Sequence, residues 1–262
     1  MRLYTEGTGP LVVKIAGIAA GVGLYHEEIA VARRSGFRVA ALDTAGDRSD
    51  DPAPGPLTWD FLADEVIRAL DRLEARRAVI WGTSFGTLVC LAVASRFPGR
   101  VRGMLLSSPP EPGWRPPLYL KFYRGVLDWR RPAVVSAGCF SAGFLLFNAW
   151  EFVNPVALIR IPALARAARD ARTPAQTTHE KIGLLLNDHP SLPGPEKEIP
   201  CSIISGTWDT ITGPGASLRL AGMLPDARLR RIRFAGHSCA YSHPTTYGRW
   251  AIEELRRLTE RP

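Results

Sequence analysis

The stretch from Ala78 to Phe97 limits the folds open to this chain more than any other. Ala78-Val79-Ile80-Trp81 is a short apolar run of the kind that buried strands use. Gly82-Thr83-Ser84-Phe85-Gly86 follows with no spacer, and Thr87 to Phe97 continues with helical spacing through Leu88, Leu91, Ala92 and Ser95. A strand that enters a helix through Gly-x-Ser-x-Gly must turn sharply at the serine. Side chains two residues to either side would strike neighbouring backbone, and glycine at both places removes the obstacle. Such a turn lifts the Ser84 hydroxyl above the sheet edge. It also aims the first N–H groups of the helix at that point, which favours an anion beside the serine.

The rest of the chain supplies the sheet that this turn needs. Arg2 to Tyr4 reads as a short edge strand, Leu11 to Ala16 as the first clear strand, and Leu24 to Ser35 as a helix ended by Gly36. Phe37 to Leu42 is the next strand. Trp59 to Leu73 is an amphipathic helix on Leu62, Val66, Leu70 and Leu73, and Val101 to Leu106 is a strand that closes at Ser107-Ser108-Pro109-Pro110. Between Glu111 and Ile199 the alternation stops, and proline-punctuated helices are expected at about Leu118–Trp129, Pro132–Trp150, Pro155–Arg172 and Thr177–Leu186. It resumes with a strand at Cys201–Ser205, a helix at Ala216–Met223, a strand at Leu229–Phe234 and a closing helix at Pro244–Leu258. Arg231 and Arg233 flank Ile232, which suits an edge strand with one wet face. The expected class is α/β: a mostly parallel, twisted sheet covered by helices on both faces, with residues 1–110 and 199–262 as core and 111–198 as an inserted helical cap.

Composition narrows the function. The 262 residues carry a formal charge of +8, nearly all of the cations being arginine, since only Lys14, Lys121, Lys181 and Lys197 are lysines. The arginines are scattered over helix faces, with short clusters at Arg130-Arg131 and Arg228 to Arg233, rather than gathered in a stripe with interleaved aromatics. That argues against a nucleic-acid partner. Cys90, Cys139, Cys201 and Cys239 are far apart and form no C-x-x-C pair, so they read as reduced thiols without a metal site. No unbroken apolar run approaches the roughly 20 residues of a spanning helix. Met1 to Glu6 lacks the layout of a signal peptide, and a cytoplasmic protein is expected. Nothing in the sequence requires a cofactor, and it leaves room for a homodimer.

The strand, the Gly-Thr-Ser-Phe-Gly turn and the helix, set in this alternation, resemble the nucleophile elbow of the α/β-hydrolase superfamily, and the resemblance covers nearly the whole chain. It implies the α/β-hydrolase fold and a Ser, acid, His order along the chain. A serine hydroxyl is a poor nucleophile until a base accepts its proton, and the base needs an orienting carboxylate. Of His26, His179, His189, His237 and His243, only His237 directly follows a strand through a glycine, in Phe234-Ala235-Gly236-His237. His243-Pro244 resembles the pair that opens the family's last helix. Ser205-Gly206-Thr207-Trp208-Asp209 resembles the turn that carries the acid, and Asp209 is the first choice; Glu111, after the strand that ends near Ser107, competes. The oxyanion hole falls to the N–H groups of Phe85 and of Ile18, or Ala19 in place of Ile18, because relatives often read His-Gly where this chain has Ala16-Gly17. The glycine-rich loop Gly17 to Gly23 also invites a dinucleotide reading, but His26 stands where its third glycine belongs. Asp43 to Asp50 instead resembles the Asp-x-x-Gly-x-Gly-x-Ser loop of hydrolases, one residue short.

Ten aromatics lie between Trp114 and Phe152 and none between Val153 and Ile199, so the first half of the expected cap is its apolar wall. Phe140, Phe144, Phe147 and Trp208 are the candidate substrate contacts. The resemblance implies a hydrolase that cleaves an ester or related acyl bond of an apolar small molecule through an acyl-enzyme, with Ser84, His237 and Asp209 as its residues. A thioester, lactone or carbon–carbon substrate would use the same residues. A non-hydrolytic ligand binder or cyclase on the same fold is the alternative of a different class.

Overall fold

A computed structural model of the chain describes residues 1–18, 21–113, 132–135, 138, 141–142, 151, 155–159, 162, 173–194 and 198–260. Its frame is a seven-stranded sheet: β1 (Arg2–Glu6), β2 (Leu11–Ile15), β3 (Arg38–Asp43), β4 (Ala78–Thr83), β5 (Val101–Ser107), β6 (Cys201–Gly206) and β7 (Ala227–Ile232). The spatial order is β1-β3-β2-β4-β5-β6-β7, and every neighbouring pair is parallel except β1 with β3. The strand before Ser84 therefore sits at the centre, buried on both faces.

Alternation along the strands sorts the core into two layers. Val13, Ile80 and Leu106 face one layer with Leu62, Val66 and Leu70 of α2 (Trp59–Arg72) and Leu88 and Leu91 of α3 (Phe85–Arg96). Val12, Val79, Trp81 and Leu105 face the other, with Phe37 and with Tyr247, Ala251 and Leu255 of the closing helix Pro244–Glu260. Thr58 starts α2 by accepting the Phe61 N–H at 3.0 Å on its hydroxyl, a cap that satisfies one of the helix's orphan donors. α3 is apolar all round because it lies between α2 and the sheet.

Two local expectations change. The first helical turn after the glycine-rich loop is a 3₁₀ turn, Val22–Tyr25, and α1 (His26–Arg34) begins after it. The last strand runs earlier than its pattern suggests. It ends at Ile232, its exposed arginines are Arg228 and Arg230, and Phe234 has left the strand at φ 59° with its ring about half exposed. The chain leaves early so that Ala235 and Gly236 can cross over the end of β6. A Cβ on Gly206 there would lie 2.0 Å from the Ala235 carbonyl oxygen.

Two buried lysines tie elements together. Lys14, fully enclosed in β2, donates to Glu28 at 2.6 Å and to Thr83 at 2.9 Å, with its ammonium over the Tyr25 and Trp81 rings. Burial pushes that ammonium below its ordinary pKa, and Glu28 opposes the shift. In the segment between β5 and β6, α4 (Ala175–Asn187) is docked by Lys181, whose Nζ lies 2.5 Å from Asp47 Oδ1, and by Thr177, whose hydroxyl donates to the Gly46 carbonyl at 2.5 Å. Cys90, Cys201 and Cys239 are buried free thiols whose pKa values burial pushes up. Among the described residues no helix is long and apolar enough to cross a membrane.

Candidate active site

The turn after β4 has the geometry that its glycines anticipate. Ser84 lies at φ 51°, ψ −119°, a conformation costly for a residue with a Cβ. A Cβ on Gly82 would come within 2.4 Å of the Gly86 carbonyl oxygen, and one on Gly86 within 2.6 Å of the Ile15 and Ala16 carbonyl oxygens. The Ser84 N–H donates to the Ser107 carbonyl at 2.8 Å, so the strained residue is also stitched to β5. Phe85 opens α3, where the first-turn N–H groups have no acceptor within the helix.

Three loops converge on that hydroxyl. His237 Nε2 lies 2.9 Å from Ser84 Oγ, and His237 Nδ1 lies 2.9 Å from Asp209 Oδ2 and 3.1 Å from Oδ1. Asp209 is buried and also accepts from the Ile211 and Thr212 N–H groups at 2.9 and 3.0 Å and from the Thr212 hydroxyl at 2.8 Å. Burial alone would raise its carboxyl, but the charge and hydrogen bond of His237, with those from Thr212, hold it below its ordinary 3.8. Burial likewise opposes a charged His237. The Asp209 charge and hydrogen bond, helped by the Glu151 carboxylate, outweigh it and raise the imidazole above its ordinary 6.5. Such a site keeps an ionised carboxylate, a basic imidazole and a hydroxyl in one line.

Of the two candidate acids, Asp209 meets the imidazole. Glu111 is occupied elsewhere: Arg219 Nε donates to its Oε1 at 2.8 Å. On the side where an oxyanion hole is expected, a Cβ on Gly17 would stand 3.5 Å from Ser84 Cβ, so the loop after β2 runs beside Ser84. The Gly17 N–H already donates to the Tyr25 hydroxyl at 3.0 Å; half-buried Ile18 follows it as a candidate second donor, and the alternative, Ala19, lies outside the described residues. Trp208 is half exposed and meets Phe234 edge-on, 5.0 Å between ring centres. Phe140, Phe144 and Phe147 lie outside the described residues.

Sequence reasoning passed over three supports. Thr212 holds Asp209. Ser108, at φ 49°, donates its hydroxyl to the His237 carbonyl at 2.8 Å. Buried Glu151 accepts from the N–H groups of Gly236 and Ser238. The Ser-Ser-Pro-Pro end of β5 and the Asp-Thr-Ile-Thr run after β6 are visible signals for the first two. Nothing local marks Glu151.

The chain belongs to the α/β-hydrolase fold family, whose model matches residues 10–244. It is 33% identical over 101 residues to a zearalenone hydrolase of Cladophialophora bantiana, a match that covers 37% of this chain and only 38% of that protein. Among solved structures it is similar to an esterase from Thermogutta terrifontis (TM-score 0.77, 19% identity, 98% and 93% of the two chains). The enol-lactonase from Burkholderia xenovorans is equally close in fold (TM-score 0.76, 20% identity, 97% and 95%). These two likenesses are of fold.

Proposed function

We propose that the protein is a serine hydrolase that cleaves an ester or related acyl bond of a lipophilic small molecule through an acyl-enzyme. The observation that carries this reading is the unbroken line from Ser84 Oγ through His237 to Asp209, each link 2.9 Å. With Nδ1–H donated to Asp209, Nε2 is free to accept the Ser84 proton as Oγ attacks the acyl carbon. The Phe85 and Ile18 N–H groups receive the negative oxygen. The imidazolium then protonates the leaving group, the acyl–oxygen bond to it breaks, and water repeats the sequence to release the acid. The similarities to proteins named as a hydrolase, an esterase and an enol-lactonase support the reaction class without choosing among ester, lactone and thioester. The inserted segment as a cap over the site, and its Trp114–Phe152 aromatics as the apolar wall, belong to the same proposal.

The deciding experiment is fluorophosphonate labelling with peptide mapping, followed by p-nitrophenyl esters from acetate to decanoate. An adduct on Ser84 is expected, as is a kcat/KM that rises about threefold to fourfold per added carbon until the pocket is full, from about 0.8 kcal/mol per buried methylene. Because Asp209 raises the imidazole, the acid limb of kcat/KM should have its midpoint above 6.5, with activity gained as pH rises through it. An unlabelled wild-type protein with no ester or thioester turnover would favour a non-hydrolytic binder on this fold.

A further inference from the structure

Glu151 comes from the segment between β5 and β6 and is only 2% exposed. Its Oε1 accepts from the Gly236 N–H at 3.0 Å and from the Ser242 hydroxyl at 2.7 Å, and its Oε2 accepts from the Ser238 N–H at 2.9 Å. The two N–H groups flank His237 directly, so one carboxylate brackets the backbone on both sides of the catalytic imidazole. All three partners donate. In a carboxamide one of these two oxygen positions would be an NH₂, which donates and cannot accept, so one side of the bracket would be lost.

The charge matters as much as the shape. A carboxylate this deeply buried needs hydrogen bonds and a compensating charge. Three donors supply the hydrogen bonds, and among the described residues no lysine or arginine forms an ion pair with it. Among the described residues, the groups facing His237 from the elements around it include Asp209 on the β6 loop, the Ser84 hydroxyl on the elbow and Glu151, and the Cys239 thiol two residues along the chain is kept neutral by burial. The cation that forms within this set is the imidazolium itself. It arises when His237 accepts the Ser84 proton and disappears when the leaving group takes that proton.

We propose that Glu151 is a positioning residue of the site, which clamps the His237 loop on both sides and lends its negative charge to the imidazolium formed during turnover. This rests on the serine-hydrolase reading but is open to a measurement that needs no substrate. In full-length Ser84→Ala protein, the His237 imidazole is titrated by NMR with and without Glu151→Gln. The proton affinity of His237 should fall roughly threefold to tenfold, and in the Ser84 background kcat/KM should fall about tenfold or more, its acid limb moving to lower pH. Glu151→Asp, which keeps the charge on a shorter arm, should lower kcat while the titration stays near wild type. A folded Glu151→Gln protein whose imidazole titrates as in wild type would overturn the proposal, even if it melts at lower temperature. Should that variant fail to fold, Ser242→Ala, which removes one donor and leaves the charge, decides. A kcat lowered about threefold to tenfold with KM unchanged supports the clamp, and a wild-type kcat overturns it. Failure of the hydrolase reading would show separately, as wild-type protein that fluorophosphonate does not label at Ser84.

Discussion

Ser84 and His237, the proposed nucleophile and base, are held in place by different means. Ser84 is fixed by backbone: a central strand, an enclosed helix, and two glycines at which any Cβ would stand only 2.4–2.6 Å from carbonyl oxygens. His237 is fixed by side chains that reach it from elsewhere: Asp209 from the β6 loop, Ser108 from the end of β5, and Glu151 from the inserted segment. Its neighbour Tyr241 also ties that loop to the Leu24 carbonyl. A backbone device tolerates almost no substitution within a few residues. A side-chain device is spread over the chain, and each strand of it can be cut alone.

The sharpest cut is Ser84→Ala. It removes the reacting atom and leaves both holding systems intact, so kcat on an active ester should fall by about 10⁶, roughly 8 kcal/mol of barrier, with an unchanged circular dichroism spectrum. Next is Asp209→Asn. The imidazole would hold the wrong tautomer, and kcat should fall about 10⁴-fold, while Glu111→Gln, whose partner is Arg219, costs little; the opposite ranking in steady-state kinetics would reassign the acid. On the backbone side, Gly86→Ala should cost about 3 kcal/mol or prevent folding, read as the denaturation midpoint, because its Cβ meets two carbonyl oxygens that cannot move aside. The smallest effect is expected from Ser108→Ala. Losing one neutral hydrogen bond to the His237 carbonyl should cost about 1 kcal/mol of stability by urea denaturation. If Ser108→Ala proves as damaging as Gly86→Ala, the contrast between the two regions fails.

The same contrast explains what the sequence could tell. Gly82, Ser84 and Gly86 are contiguous with their strand and helix, so the steric reason for them is written within twenty residues. Asp209 and His237 were legible because each lies in the loop that follows a strand of the sheet, in the order the resemblance implies. Glu151 was not, since its partners lie 85 and more residues away and no pattern around it marks its burial. The end of β7 misled for a physical reason. Arg231, Ile232 and Arg233 alternate well enough for a longer strand, but the crossing of the His237 loop over Gly206 ends it at Ile232. The apolar run and the glycines placed the central strands to within a residue or two.

The two buried lysines give the molecule built-in reporters of opening. A lysine-specific protease must seat the lysine side chain in its own pocket, which neither Lys14 nor Lys181 can offer while it stays enclosed. Lys14 lies in an inner strand between two others, so cleavage after it requires the sheet to come apart and should follow global unfolding. Lys181 is held by Asp47 and sits over the Phe85 ring, and cleavage after it requires α4 to lift from the Gly46–Asp47 loop and from the core beside it, while the sheet can stay intact. The ratio of the two cleavage rates in mild denaturant therefore measures how much more easily α4 lets go than the sheet.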